Sequence, residues 1–395
     1  MKALIIGGGI AGPVTAIALK RAGIDATVYE AYDSTADGVG AFLSLATNGL
    51  DALRTLDLFD VVRDKGFATP RMVIRLSSGK ELAQFEHGGM LDDGTVSHTI
   101  KRSDLYGALR DEAVRRGVEI VYGKRLTDAE AAADGVTARF ADGSTATGDL
   151  LIGADGLRSV TRTLIDPAAP KARYTGLLNT GGYAHGVPVD AEPGVLRMIF
   201  GKRCFLLYVA HPNGEVWWGA NPPRAGEPSR EDLAAITPER WRAELIDLFA
   251  DYPLGVRLIK ATEKISPPWP TQDFPTVPTW HRDRMIIIGD AAHATSPASG
   301  QGASMAMEDA VTLAKCLRDA DTIEAAFADY ERLRRERVER VVAQGKRNGD
   351  QKALGFVGRL LLPLVFKLNR TKQDTGWMYD HHIPWDSVSP RPAPR

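Results

Sequence analysis

The sequence predicts an α/β fold in which a parallel nucleotide-binding sheet is interrupted by an antiparallel β-sheet domain and followed by C-terminal helices. Three observations carry this expectation. The chain opens on an apolar strand that runs through a glycine-rich turn into a helix, "KALIIGGGIAGPVTAIALKRAGIDATVYE". Two later stretches also join an apolar strand to a loop of small residues, "LLIGADGLRSVTR" (Leu150–Arg162) and "MIIIGDAAHATSPASGQGA" (Met285–Ala303). Between them, from about Arg173 to His281, helical periodicity gives way to short strand-like runs such as "LRMIF", "CFLLYVA" and "EVWWGA".

Composition sets the bounds. With 395 residues the chain exceeds one ordinary core, so two domains or an interleaved pair are expected. Hydrophobic residues make up 44% and charged residues 25%, the balance of a soluble enzyme, and the net charge of -1 directs nothing toward nucleic acid or an anionic membrane. Cys204 and Cys316 lack metal-ligand spacing, which argues against a disulfide framework or a zinc site and fits a cytoplasmic location. Met1 leads almost directly into a strand, so no signal peptide is expected. The most membrane-like run, "GRLLLPLVFKL" (Gly358–Leu368), is too short to span a bilayer and holds Pro363.

The first element is a Rossmann-type unit. Ala3–Ile6 reads as a buried strand, and Gly7, Gly9 and Gly12 form G-x-G-x-x-G. Ile10, Val14, Ile17 and Ala18 share one face of the following helix, which stops near Gly23. A second strand, Ala26–Tyr29, ends at Glu30, 18 residues after Gly12. The first glycine turns the chain, the second admits a pyrophosphate and the third lets helix pack on strand. The helix N-terminus offers N–H groups to phosphates, and the acid suits a ribose hydroxyl. A lone glycine motif is a weak signal, but strand, helix and acid at this spacing make a dinucleotide site. NAD and FAD share the ADP half, so this unit alone does not choose between them.

Next, "GVGAFLSLATNG" (Gly38–Gly49) is small and suited to lying against a flat ligand, and Thr47 is placed to cap a helix bearing Leu50, Leu53 and Leu56. Arg71–Phe85 reads as a hairpin. Ser103 is a candidate N-cap, and Asp134-Gly135 and Asp142-Gly143 mark turns between short strands. Helical spacing returns over Ala303–Ala320 and Ile323–Gly345. The basic stretch "RLRRERVERVVAQGKR" has interleaved acids and reads as a solvated helix face. The expected division is a discontinuous nucleotide-binding domain (1–70, 97–172 and 282–320), a substrate domain (71–96 and 173–281), a C-terminal helical region (321–385) and a disordered tail (386–395).

The late stretch selects the cofactor. Asp290 ends a strand expected beside the first one, where an acid can bond the hydroxyls of a ribityl chain, which FAD has and NAD lacks. The turn Ser299-Gly300-Gln301-Gly302 should open a helix near Ala303 whose N–H groups and dipole favour the anionic edge of a reduced flavin. The fold class is then an α/β Rossmann-type FAD-binding domain with an inserted antiparallel β-sheet substrate domain and C-terminal helices.

Three motifs in order resemble the class A, single-component FAD-dependent monooxygenases, the p-hydroxybenzoate hydroxylase fold that includes the tetracycline-inactivating hydroxylases. They are Gly7–Gly12 with Glu30; Asp155-Gly156 through Arg162; and Gly289-Asp290 with Pro297 and Gly300-Gln301-Gly302. The resemblance implies FAD contacts at Gly7, Gly9, Ile10, Ala11, Gly12, Glu30, Ala31, Ala41, Arg102, Asp155, Gly156, Gly289, Asp290, Pro297, Gly300, Gln301, Gly302 and Ala303. Ala31 departs from the family, many members of which carry Arg or Gln there. The family binds FAD non-covalently, reduces it with NADPH or NADH, and captures O2 as a flavin C4a-hydroperoxide that hydroxylates or epoxidises an electron-rich carbon. One G-x-G-x-x-G implies a nicotinamide that binds only transiently.

His293 is taken as structural, and no general base is named. Strand alternation together with the resemblance places Arg197, Tyr208 and Trp217, with Pro297, around a hydrophobic, aromatic or polycyclic substrate. Halogenases of this fold carry W-x-W-x-I-P, which "EVWWGANPP" does not match. An isoprenoid-type reductase and a non-catalytic FAD-binding protein are the alternatives, separable by product mass and by substrate-stimulated NAD(P)H oxidation. A monomer or homodimer is expected.

Overall fold

A computed structural model describes residues 1–33, 41–352 and 376–388. Gly38–Gly40 of the glycine-rich loop, the run Gly358–Leu368 and positions 389–395 of the tail lie outside the described residues. Two sheets organise the rest. The first has six strands in the order His281–Arg282, Met285–Ile287, Leu150–Gly153, Lys2–Ile6, Asp25–Tyr29 and Glu119–Val121. All pair in parallel except the short edge strand His281–Arg282. Their apolar side chains are almost wholly buried, as befits a parallel sheet covered on both faces. The helices Ala11–Arg21 and Gly302–Asp319 pack against each other over it.

The late strand pairs with Leu150–Gly153 and not with the first strand, correcting the expected neighbour. The strand Leu150–Gly153 is wholly buried and supplies both flanking partners. The register nevertheless aligns the strand ends: Ile6 lies opposite Gly153 and Tyr29, and Gly153 opposite Ile287. The glycine turn, the Asp155-Gly156 loop and the Gly289-Asp290 turn therefore leave the same edge of the sheet. Ligands of doubly wound sheets bind at such carboxyl ends.

The second sheet has seven strands in the order Trp269–Asp273, Arg173–Ala184, Val216–Asn221, Phe205–Ala210, Val195–Phe200, Arg71–Leu76 and Glu81–Glu86. It is antiparallel apart from one parallel pair, Val195–Phe200 with Arg71–Leu76. One face packs Tyr208, Trp218 and Leu206 beneath Trp241, Leu245 and Phe249 of Pro238–Leu248 and its flank, and Leu258 of Pro253–Lys260. The other face carries Trp217, Val209 and Leu196 against Phe42 and Phe67. The Asp134-Gly135 and Asp142-Gly143 turns do separate three short strands between Leu126 and Gly148.

Two helix starts differ from expectation. Ala46, not Thr47, is the N-cap of Thr47–Thr55, because the Thr47 hydroxyl donates instead to the carbonyl oxygens of Gly88 and Tyr379. Lys101 precedes the helix Arg102–Arg115, and the Ser103 hydroxyl donates to Asp104. The final long helix runs Ile323–Lys352, and its basic stretch is not uniformly solvated: Arg334 is 1% exposed. The compensating acids lie on another helix, where periodicity within this one cannot reveal them.

Candidate active site

At the first turn each glycine has a visible cause. Gly7 has φ +109°, its N–H donates to Tyr29 O at 2.9 Å, and a Cβ on it would meet Ala154 O at 2.4 Å. The first glycine thus makes room for the Asp155-Gly156 loop. A Cβ on Gly12 would lie 2.0 Å from Gly7 O, so only glycine lets the helix pack there. Among the described residues nothing lies within 4 Å of that position on Gly9, which leaves its backbone open to approach. Ile10 is the N-cap of the helix beginning at Ala11, with no side-chain cap hydrogen bond and no acid in the first turn, so the helix's own start supplies its leading N–H groups with no side-chain acceptor. Glu30 is fixed beside the turn, accepting Gly8 N–H at 2.6 Å and Tyr32 N–H at 3.0 Å. Ala31 follows it, half-buried.

The second motif is turned inward. Asp155 accepts from the Ser159 hydroxyl at 2.5 Å and from the Thr161 N–H and hydroxyl at 3.0 Å each. Burial pushes its carboxyl above the usual range against these bonds. Its carboxylate thus holds its own loop, with Gly156 at φ +71°. Arg162 links this loop to the third motif, donating to Leu157 O and Ala291 O at 2.9 Å each.

Asp290 is exposed at the start of the short helix Asp290–His293. A Cβ on Gly302 would lie 3.8 Å from its Oδ1. Arg102 also senses Asp290: burial works against the guanidinium's charge, but Tyr106 and Asp290 hold its pKa above the ordinary value. Arg102 bonds Tyr106 through Nε at 2.9 Å and Ala41 O through its backbone N–H at 3.0 Å. Pro297–Ser299 forms a single 3₁₀ turn, Gly300 takes φ +65°, and Gln301 is the N-cap of Gly302–Asp319 without a side-chain cap. Pro297 and Gly300 are exposed, while Gly302 and Ala303 are half-buried. The Gln301 side chain points inward and accepts from Asn48 at 2.9 Å.

Behind that turn lies a buried ionic cluster. Asn48 also donates to Glu308 at 2.6 Å. Arg337 donates to Glu308 at 2.8 and 2.9 Å, and Arg334 pairs with Glu308 and, at 2.7 Å, with Asp309. Asp309 accepts Gly289 N–H at 2.8 Å and meets His293 Nε2 at 2.6 Å. Burial alone would raise both carboxyls, but Arg334, with Arg337 at Glu308 and His293 at Asp309, holds them below the usual range. His293 therefore belongs to the scaffold. Sequence reading missed Asn48, Glu308, Asp309, Arg334 and Arg337. The available signal was Glu308-Asp309 inside the otherwise apolar run Met305–Val311.

The seven-stranded sheet corrects the strand register assumed for the expected substrate residues. Arg197 lies opposite Tyr208, and Tyr208 opposite Trp218; Trp217 lies opposite Val209. Arg197 and Tyr208 thus share the helix-covered face, and Trp217 occupies the other. Adjacent tryptophans let either frame satisfy an aromatic alternation, so sequence could not choose. Toward the nucleotide-binding half, two cross-strand pairs, Gly181 with Gly219 and Tyr183 with Trp217, form a row, and at its end Asn221 Nδ2 donates to Asn179 Oδ1 at 3.2 Å. Ala41 sits against Gly181, 3.5 Å from where a Cβ would stand. Lys101 Nζ lies over the Tyr183 and Trp217 rings, 4.7 and 5.3 Å from their centroids.

This arrangement fits FAD. The Gly7–Gly12 turn and the uncapped Ala11 helix offer N–H groups for a pyrophosphate, with Glu30 beside them for a ribose. Asp290 and Arg102 flank a second turn whose helix, opening at Gly302 without a side-chain cap, suits an anionic ring edge.

The chain matches the FAD binding domain family over residues 1–345. It is 34% identical over 361 residues to the FAD-dependent urate hydroxylase of Klebsiella pneumoniae, covering 89% of this chain and 90% of the relative. It is 30% identical over 380 residues to the 3-hydroxybenzoate 6-hydroxylase of Klebsiella oxytoca, covering 93% and 92%. The crystal structure of Klebsiella pneumoniae HpxO complexed with FAD and uric acid superposes with a TM-score of 0.82 at 30% identity, over 96% of this chain and 95% of that one. The shared architecture, the ordered motifs and these relatives place the chain in the FAD binding domain family, as an FAD-dependent monooxygenase of the class A hydroxylase type.

Proposed function

We propose that the enzyme hydroxylates a small, planar aromatic or heteroaromatic compound, held between the Pro297–Gly302 turn and the sheet face that carries Gly181, Gly219 and Trp217. The observation that carries this reading is the face itself. A paired-glycine floor lies against Ala41, with an aromatic cluster at one end and the hydrogen-bonded asparagines Asn179 and Asn221 at the other. Flat ligands suit such a surface. The names of the relatives, a urate hydroxylase and a hydroxybenzoate hydroxylase, support a ring of this size.

When bound, FAD supplies the redox chemistry: reduction by NAD(P)H and activation of O2 for transfer of one oxygen atom. The chain's residues position and shield. Gly7, Gly9, Ile10, Ala11 and Gly12 would hold the pyrophosphate, and Glu30 the ribose, with Ala31 alongside. Asp290 and Arg102 would hold the ribityl chain, and Gly300, Gln301, Gly302 and Ala303 would donate backbone N–H groups to the ring. Asp155 and Gly156 support from behind. Trp217 and Pro297 would border the substrate. Arg197 and Tyr208 fall outside this proposal because their face is covered by helices.

In this reading the nicotinamide binds transiently, and the enzyme works in the cytoplasm as a monomer or homodimer. The test is anaerobic stopped-flow reduction of the holoenzyme by NADPH and NADH, with and without urate, hydroxybenzoates and hydroxynicotinates, followed by mass spectrometry of aerobic products. Accelerated reduction and a product heavier by one oxygen atom are expected for at least one compound. A product heavier by two hydrogens would overturn the reading.

A further inference from the structure

The long helix ends its described course on a buried amine. Gly345 lies so close to the Pro297 turn that a Cβ on it would meet Thr295 Oγ1 at 2.6 Å and Ser299 Cβ at 2.9 Å. Asn348 Nδ2 donates to Ala298 O at 3.1 Å, and a Cβ on Gly349 would stand 3.4 Å from Ser296 Oγ. Residues 345, 348, 349 and 352 share one helical stripe. Three of them pack on the turn, and the fourth, Lys352, crosses to the sheet. It is 7% exposed. Its Nζ donates to Asn221 Oδ1 at 2.9 Å and sits 4.1 Å from the Phe205 ring centroid. Asn221 is fixed in turn, its Nδ2 donating to Leu178 O at 3.3 Å and Asn179 Oδ1 at 3.2 Å.

An ammonium has three N–H donors. Among the described residues only Asn221 accepts from this one, and no carboxylate pairs with it. A buried charge with no counter-ion among the described residues is unfavourable, and a bound anion removes the penalty. Asn221 and Phe205 lie on the same sheet face as Gly219 and Trp217, so the amine stands at the asparagine end of the row that begins at Trp217.

We propose that Lys352, oriented by Asn221, is the group that recognises an acidic substituent, a carboxylate or an ionised ring hydroxyl or ring N–H, on the aromatic substrate. This rests on the proposed reading of the site and names the substrate class it prefers. The role is binding and orientation, with no covalent step.

Burial pushes the Lys352 amine down to about 8, partly offset by Cys204. Cys204 is the titratable group facing it from the sheet side; on its own helix Asp350 is engaged with Lys346 at 2.6 Å on the exposed side, and the Thr295–Ser299 turn contributes no charge. The sign follows. The ammonium form binds an anion, so affinity for acids should fall as pH rises through about 8.

The test uses FAD-loaded enzyme and the change in flavin absorbance on titration with 3-hydroxybenzoate, 6-hydroxynicotinate and urate, and with the neutral amides of the first two, from pH 6.5 to 9.5. Wild type should bind the acids at least tenfold more tightly than the amides below pH 8 and lose that preference above it. Lys352→Met should erase the preference while leaving amide affinity within about twofold. Lys352→Arg should keep the preference and lose its pH dependence, because guanidinium stays charged. Flavin content and melting temperature check that the variants fold. Acids that bind no better than amides, a preference that survives Lys352→Met, or no acid binding at all would each overturn the proposal. Amides or other neutral aromatics that stimulate NADPH oxidation and gain one oxygen would overturn it while leaving the hydroxylase reading intact.

Discussion

The turn from Pro297 to Gly302 has two sides built on opposite terms. In front, Asp290, Pro297 and Gly300 are exposed, and the helix from Gly302 begins without a side-chain cap. Behind, Asn48, Glu308, Asp309, Arg334 and Arg337 bond one another, with Glu308, Asp309 and Arg334 at 1% exposure or less. In the proposed reading the front keeps its donors for the flavin, whereas the rear spends its charges within the protein. A binding turn made largely of small residues has little rigidity of its own. The ionic cluster behind it supplies the preorganisation, locking Gln301 through Asn48 and Gly289 through Asp309.

The rear should fail most severely. Arg334→Met leaves two buried carboxylates short of their partner and should lower unfolding free energy by about 3–5 kcal/mol, read by denaturant titration. A pH series sharpens this. The folded carboxyls of Glu308 and Asp309 lie below the usual range, so their contribution is present above the unfolded value of about 4.3 and 3.9 and is lost as pH falls through the depressed folded values. Wild type should therefore destabilise steeply in acid below about pH 4, and the variant less steeply. Equal slopes would show that the cluster is not what links stability to pH.

The front should break differently. Asp290→Ala and Glu30→Ala should each lower flavin occupancy of the purified protein, a loss of order 1–3 kcal/mol in FAD affinity, while leaving the melting temperature of the FAD-free protein nearly unchanged. Full occupancy in both variants would remove these acids from the FAD site, and unfolding would remove the distinction between front and rear.

A smaller contrast probes the sheet by the same logic. Trp217→Leu should uncouple turnover, releasing hydrogen peroxide in place of product, with stability changed by no more than about 2 kcal/mol, since most of the buried apolar volume is kept. Tyr208→Phe, on the helix-covered face, should leave coupling and KM unchanged and shift stability by less than about 1 kcal/mol. Uncoupling by Tyr208→Phe, measured as peroxide per NADPH, would return that face to the active site.

Local sequence determined much of this protein. The G-x-G-x-x-G turn needs glycine at Gly7 and Gly12 because backbone atoms come within 2.0–2.4 Å of any added Cβ, a constraint legible as spacing. Apolar runs named the strands, and the order of three motifs implied FAD. What lay beyond reach was decided between elements. Thr47 reads as a cap but bonds Gly88 and Tyr379, which are distant in sequence. Arg334 reads as surface, yet it meets acids 25 and 26 residues away on another helix. The register that set Tyr208 and Trp217 on opposite faces could not be inferred, because a two-residue period leaves the frame open where two tryptophans adjoin. Lys352 is unremarkable in its own helix. Only the packing of that helix on the Pro297 turn and the sheet buries its amine beside Asn221, since burial and pairing are properties of neighbours that the chain brings together in space.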